Sequence, residues 1–150
     1  MSSSNVTSSQ HLLFKSMPTI LAKVNLKSTS WEMAISPDQR FMVFAQWNNS
    51  VTSSALIDFN TQKVLHMLKM RYNQAFCCAF SPDSKLVALG GSSGELILYD
   101  VDSGTELGSS ACHANNVCGV GFSSDGSLLV SASEDRHMNV FRVDNLKEPI

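Results

Sequence analysis

No window of this 150-residue chain gathers Lys and Arg, and the net charge is −2 with a pI of about 6.0. The basic footprint that nucleic acid or an anionic membrane needs is missing, so neither is an expected partner. Long apolar runs are missing too. The strongest, such as Phe41 to Trp47, fall far short of the roughly 20 residues of a membrane helix. The first ten residues, MSSSNVTSSQ, carry no positive charge and no apolar segment follows them, so no secretory signal is expected. The glycosylation-type triplets at Asn5–Thr7 and Asn48–Ser50 then read as chance matches. The four cysteines, with Cys77 and Cys78 adjacent, lack the spacing of a disulfide framework. Reduced thiols in cytoplasm or nucleus are expected. Gly90–Gly94 has neither the Lys nor the following helix of a phosphate loop, and no cofactor is expected.

What the chain does have is 43% hydrophobic and 16% charged residues, enough for one globular domain. Residues 1–11 are Ser-rich with almost nothing to bury, the composition of a disordered tail, which leaves 12–150 as the folded segment. Within it the chain repeats itself. Three segments, starting at Trp31, Phe76 and Val117, share two anchors. The first is a turn, Ser36–Asp38, Ser81–Asp83 and Ser123–Asp125; the second is an apolar residue, Ile57, Tyr99 and Phe141, at intervals of 42 residues. The first copy carries three extra residues between its anchors, assigned to the hairpin at Asn48–Ser53.

Each copy reads strand, turn, strand, with turn residues every 8 to 12 positions and no helical periodicity. The class is all-β. Lys85–Leu89 and Leu96–Tyr99 are too continuously apolar for a sheet with one wet face, so both faces must be covered, as in stacked blades.

These residues resemble the WD-repeat β-propeller family, whose copies of about 40 to 45 residues carry Gly-His before the first strand and Trp-Asp closing the third. Tyr99-Asp100, Phe141-Arg142 and Ile57-Asp58 stand at the Trp-Asp position, Cys112-His113 at the Gly-His position, and Ser131–Asp135 matches the second strand and its turn. The resemblance implies blades of four-stranded antiparallel sheets, about three of them, in an incomplete ring. Their approximate bounds are 28–69, 70–111 and 112–150, with 19–27 a candidate outer strand. It also implies a buried network of His113, Ser133 and Asp135 in the third copy, where Phe141 has no donor to complete it. The second copy offers Arg71 near the His position and Ser93 at the Asp position; the first offers Leu26 and nothing clear in its hairpin.

His113, Ser133 and Asp135 are also the residue types of a hydrolase triad, but no open cleft or oxyanion site is signalled, and an architectural role is favoured. A zinc site would need four ligands, and Cys112, His113 and Cys118 supply three at most. Cys118 is expected as a small buried or half-buried strand residue, like Cys77 and Cys78.

The resemblance therefore implies a non-enzymatic scaffold or adaptor for other proteins or peptides. Its expected partner-binding face carries Arg71, Tyr72, Asn73, Asn115, Asn116, Glu134, Arg136 and His137. Relatives that serve as ubiquitin-ligase receptors carry Arg two residues after Trp-Asp, where this chain has Asp102 and Asp144. Three blades are too few to close a ring. If each open face exposed roughly 500 Å² of apolar surface, about 25 kcal/mol of burial would be forgone, more than a domain's whole stability. The chain is expected to be part of a longer propeller or to assemble with other chains, a two-copy, six-blade ring being one candidate.

Overall fold

Each copy spends its alternating apolar residues on one antiparallel sheet. The computed structural model describes residues 29–47, 53–71 and 74–150. The Ser-rich tail, the candidate strand 19–27, Leu26, Tyr72, Asn73 and the centre of the 48–53 hairpin lie outside the described residues.

The first sheet runs β1 (Thr29–Ile35), β2 (Phe41–Trp47), β3 (Ser53–Asp58) and β4 (Val64–Lys69), paired in that order. The second repeats it with β5 (Ala75–Phe80), β6 (Leu86–Gly91), β7 (Glu95–Asp100) and β8 (Glu106–Ala111). The third has β9 (Val117–Phe122), β10 (Leu128–Ser133) and β11 (Met138–Arg142). After β11 the chain doubles back, and the Ile150 N–H reaches the Val140 carbonyl at 2.7 Å. All pairing is antiparallel, and the sole helical element among the described residues is a 3₁₀ turn at Ser92–Gly94.

One turn is built three times from the same two side chains. Ser36, Ser81 and Ser123 each donate Oγ–H to the Asp two residues on, at 2.6 Å, and accept the N–H of Phe41, Leu86 or Leu128 at 2.9 Å. The same carboxylates accept the N–H of Arg40, Lys85 and Ser127. This fixes where the first strand ends and the second begins. The turns include a left-handed residue, Gln39, Ser84 and Gly126 (φ 61°, 63° and 74°), which only Gly126 adopts without steric cost.

The sheets stack face to face, β5 against β1 and β2, and β9 against β5 and β6. One core joins Phe41, Val43, Leu56 and Leu68 to Phe80, Val87, Leu89, Ile97 and Tyr99. A second joins Ala88, Leu96 and Leu98 to Leu129, Phe141 and Leu146. The middle sheet is thus covered on both faces, as its continuously apolar strands require. The outer face of the first sheet shows Met33 and Ile35, 50% and 46% exposed.

Each inner strand carries one extra residue. Opposite the second strand the register shifts by one residue, at Trp31 between Ser30 and Glu32, at Phe76 between Ala75 and Cys77, and at Cys118 between Val117 and Gly119. These bulges sit at one repeat position, and the rings of Trp31 and Phe76 meet edge to face at 5.9 Å.

Candidate functional site

The segment between β8 and β9 places His113 under the β10–β11 turn. Its path is set by Gly94, at φ +77°, where a built Cβ would lie 1.8 Å from the His113 carbonyl oxygen. Only glycine allows that approach. The His113 side chain is fully buried, with Nδ1 2.9 Å from Asp135 Oδ2 and Nε2 2.8 Å from Ser131 Oγ. A carboxylate can only accept, so Nδ1 carries the proton and Nε2 accepts the Ser131 hydroxyl. Asn139 Nδ2 donates to the Cys112 carbonyl at 2.7 Å and closes the site beneath the ring.

Asp135 gathers more than the histidine. Its oxygens also accept the N–H groups of Ala114 (3.0 Å) and His137 (2.9 Å). Burial pushes its pKa up, but these two N–H groups and the His113 ring outweigh that and hold the carboxyl well below its usual range. One carboxylate thereby ties the loop at 112–116 to the turn at 134–137.

Ser133 does not join His113. Its hydroxyl donates to the Asn115 carbonyl at 3.2 Å and accepts the Asp135 N–H at 3.1 Å, and Ser131 takes the place expected for it. Alternation puts both serines on one face of β10, two residues apart, and only the course of the 112–116 loop selects between them. Ser131, His113 and Asp135 have the connectivity of a hydrolase triad. Ser131 is completely buried, however, so its hydroxyl cannot reach a substrate carbonyl. Phe141, which cannot donate, packs fully buried in the second core.

The second copy solves the same problem with other residues. Tyr99 at the Trp position donates its hydroxyl to the Lys69 carbonyl. Burial, then the charges of Glu106 and Glu95, pushes its pKa up to about 12, so it stays a donor. Glu95, 3% exposed, accepts the Arg71 N–H at 3.0 Å, and the Arg71 guanidinium bridges to Glu106 at 2.8 Å. Ser93, expected at the Asp position, is exposed at the tip of the 3₁₀ turn. The buried Glu95 was the signal that sequence reasoning passed over, since a carboxylate that opens the apolar strand β7 must be paired.

Among the expected partner-face residues, Asn115, Glu134, Arg136 and His137 are exposed on the two loops that Asp135 joins. Asn116 is half-buried and donates from Nδ2 to Glu134 at 2.9 Å. Arg136 holds the left-handed corner of its turn (φ 72°). Arg71 is exposed but committed to the second blade's acidic pair.

The cysteines divide by position. Cys77 and Cys78 are buried, and burial pushes the Cys78 thiol to about 12 and Cys77 further. Cys118 corrects the expectation of a buried or half-buried strand residue: it is the bulged residue of β9 and is exposed. Among the described residues, no group of three or more His, Cys, Asp and Glu side chains could hold a metal ion. No helix of the described chain is long and apolar enough to cross a membrane. A cleft of about 430 Å³ opens between Leu86, Leu98 and Leu107 on one side and Val143 and Leu146 on the other.

A family model described as "WD domain, G-beta repeat" matches residues 63–100 and 104–142. The WD repeat-containing protein SL1-17 of Schistosoma mansoni is 30% identical over 114 residues, 76% of this chain and 36% of that protein. The meiotic recombination protein rec14 of Schizosaccharomyces pombe is 31% identical over 116 residues, 77% of this chain and 37% of its own length. The COMPASS component SWD1 of Saccharomyces cerevisiae is 26% identical over 103 residues, 64% of this chain and 23% of that protein. The chain spans a little over a third of the length of the first two and less of the third.

Proposed function

The chain belongs to the WD-repeat family, and from that membership we propose that it is a non-enzymatic docking platform for protein or peptide partners, acting in the cytoplasm or nucleus. The observation that carries the reading is the pair of loops pinned by Asp135, with Asn115, Glu134, Arg136 and His137 turned to solvent on a frame that His113 and Ser131 hold from below. Binding residues on loops positioned by a rigid scaffold lose little entropy on docking. Their mixed charge suits a polar, hydrogen-bonding segment of a partner. Nucleic acid is a poor fit for a chain of net charge −2.

Kinship with a COMPASS component supports a place in a multi-protein assembly. Because the match covers only about a third of the curated relatives, the same residues also read as part of a longer propeller. The test is partner recovery by Arg136→Ala/His137→Ala against the parent chain. At least a tenfold loss of a partner, with unchanged circular dichroism, supports the reading. Equal recovery by the two chains overturns the assignment of this face.

A further inference from the structure

Two seams join the three sheets, and at the end that carries the Ser–Asp turns they are finished differently. Between the first and second sheets the Asp38 N–H donates to Ser84 Oγ at 3.1 Å, one turn reaching the next. On the outer strand, His66 donates from Nε2 to the Asp102 carbonyl at 2.9 Å. Its ring lies against Gly104, where a built Cβ would come within 2.4 Å of Cγ. Phe41, at the start of β2 in this seam, is 6% exposed.

Between the second and third sheets, glycine stands at both of these positions. The left-handed turn residue is Gly126 where the second sheet has Ser84, and the ladder pairs Leu98 with Gly108 as it pairs Leu56 with His66. Neither glycine is crowded. A Cβ built on Gly126 meets only Pro82 Cδ at 3.6 Å, and one on Gly108 meets only Leu146, at 3.5 Å and beyond. The seam is open instead: the 430 Å³ cleft of Leu98, Leu107 and Leu146 adjoins, at Leu86, an inner cleft of about 360 Å³ between Ser81–Asp83 and Ser124–Gly126. Leu86, the counterpart of Phe41, is only half-buried. Leu107, the extra residue where β8 shifts register against β7, is 55% exposed. Both walls belong to sheets that meet inside the chain, so the groove does not depend on what flanks the first sheet or the third.

We propose that this groove docks an extended segment of a partner protein, one large aliphatic side chain entering between Leu98, Leu107 and Leu146 and a neighbouring Lys or Arg lying at the two turns. Continuity and charge argue for that occupant. The outer cleft prolongs the second core, in which Leu98 and Leu146 are already buried, so an aliphatic side chain extends an apolar interface that exists. Its charged lining, Asp144 and Lys147, cancels. The described lining of the inner cleft holds two carboxylates, Asp83 and Asp125, and no cation, which suits a basic residue. The groove lies at the opposite end of the strands from the loops that Asp135 joins, so it is a second surface, separable by mutation.

The test is selection of short random peptides on the parent chain, followed by titration of the binders into three variants. Gly108→His/Gly126→Ser closes the second seam as His66 and Ser84 close the first, and Ser84 shows that serine is accepted at this left-handed φ. Arg136→Ala/His137→Ala alters the other surface. Expected binders join Leu, Ile or Met to Lys or Arg, lose at least about tenfold in affinity for the closed variant, and bind the Arg136/His137 variant like the parent. Leu107→Ser, at an exposed site, decides the matter even if the closed variant loses its β-sheet dichroism: the same peptides should weaken, and unchanged affinity overturns the proposal. So do a selection without binders, acidic binders, or binders that hold a folded closed variant as tightly as the parent. Binders lost only with Arg136 and His137 overturn it as well, and leave the reading of the Asp135 loops standing.

Discussion

Two partners of one buried imidazole make His113 the residue whose loss should be felt most in the third blade. His113→Ala strands the Ser131 hydroxyl and removes a buried ring, so stability should fall by roughly 2–4 kcal/mol, read as a shift in the urea midpoint. Ser133→Ala, which cuts a half-exposed hydroxyl, should fall by under about 1 kcal/mol. The reverse order would mean that the network is not the one described. Acid should act through the turn carboxylates. The hydroxyl of Ser123, then the Ser127 N–H and hydroxyl, lower the Asp125 pKa to about 2 against a small effect of burial. A depressed folded pKa stabilises above the unfolded value of about 3.9 and loses that stabilisation as pH falls toward the folded one. Urea midpoints should therefore drop between about pH 4 and pH 2, and Asp125→Asn should flatten that drop. The sequence made His113 and Asp135 legible because their positions are spaced by a repeat. It could not choose Ser131 over Ser133, a choice settled by a backbone contact at Gly94 that no local pattern encodes.

The first two strands of each copy were legible as elements because a Ser–Asp turn divides them; the bulges were not. An extra residue leaves the alternation of its neighbours looking intact, so Cys118 read as a strand position although β9 turns it out. Thiol titration under native conditions should show this directly. Cys118 should react first, more slowly than a free thiol because partial burial and then Glu134 raise its pKa, and Glu134→Gln should quicken it. Cys112, half-buried, should follow, and Cys77 and Cys78 should wait for unfolding. Prompt labelling of all four would mean that the second sheet is not packed as described. The second copy's substitute network was half hidden: Tyr99 and Arg71 stand at or near the Trp and His positions, but Glu95, which accepts the Arg71 N–H, matches no family position.

At the scale of the molecule, stability runs along the stack rather than around a single core. Each sheet contacts its sequence neighbours, so the middle sheet, covered on both faces, should be the last to open. Amide hydrogen exchange should be slowest in β6 and β7, and faster in β2 and β10. Uniform protection across the three sheets would contradict a stack built from nearest neighbours. That the sheets stack was legible in Lys85–Leu89 and Leu96–Tyr99, whose apolar continuity demands two covered faces. What lies on the outer faces was not, because a repeat specifies a contact and not the number of times it is made.

The three bulges separate two kinds of freedom. Trp31, Phe76 and Cys118 stand at one repeat position, outside the ladder pairing that sets register. An aromatic, an aromatic and a thiol are tolerated there, while the turn anchors hold Ser and Asp in every copy. Substitution at this position leaves the ladder register alone, and where both neighbours are aromatic, as at Trp31 and Phe76, it adds a ring contact between blades. The inner edge can be rewritten one copy at a time, and a lineage could acquire a new recognition chemistry there without first having to solve the fold again.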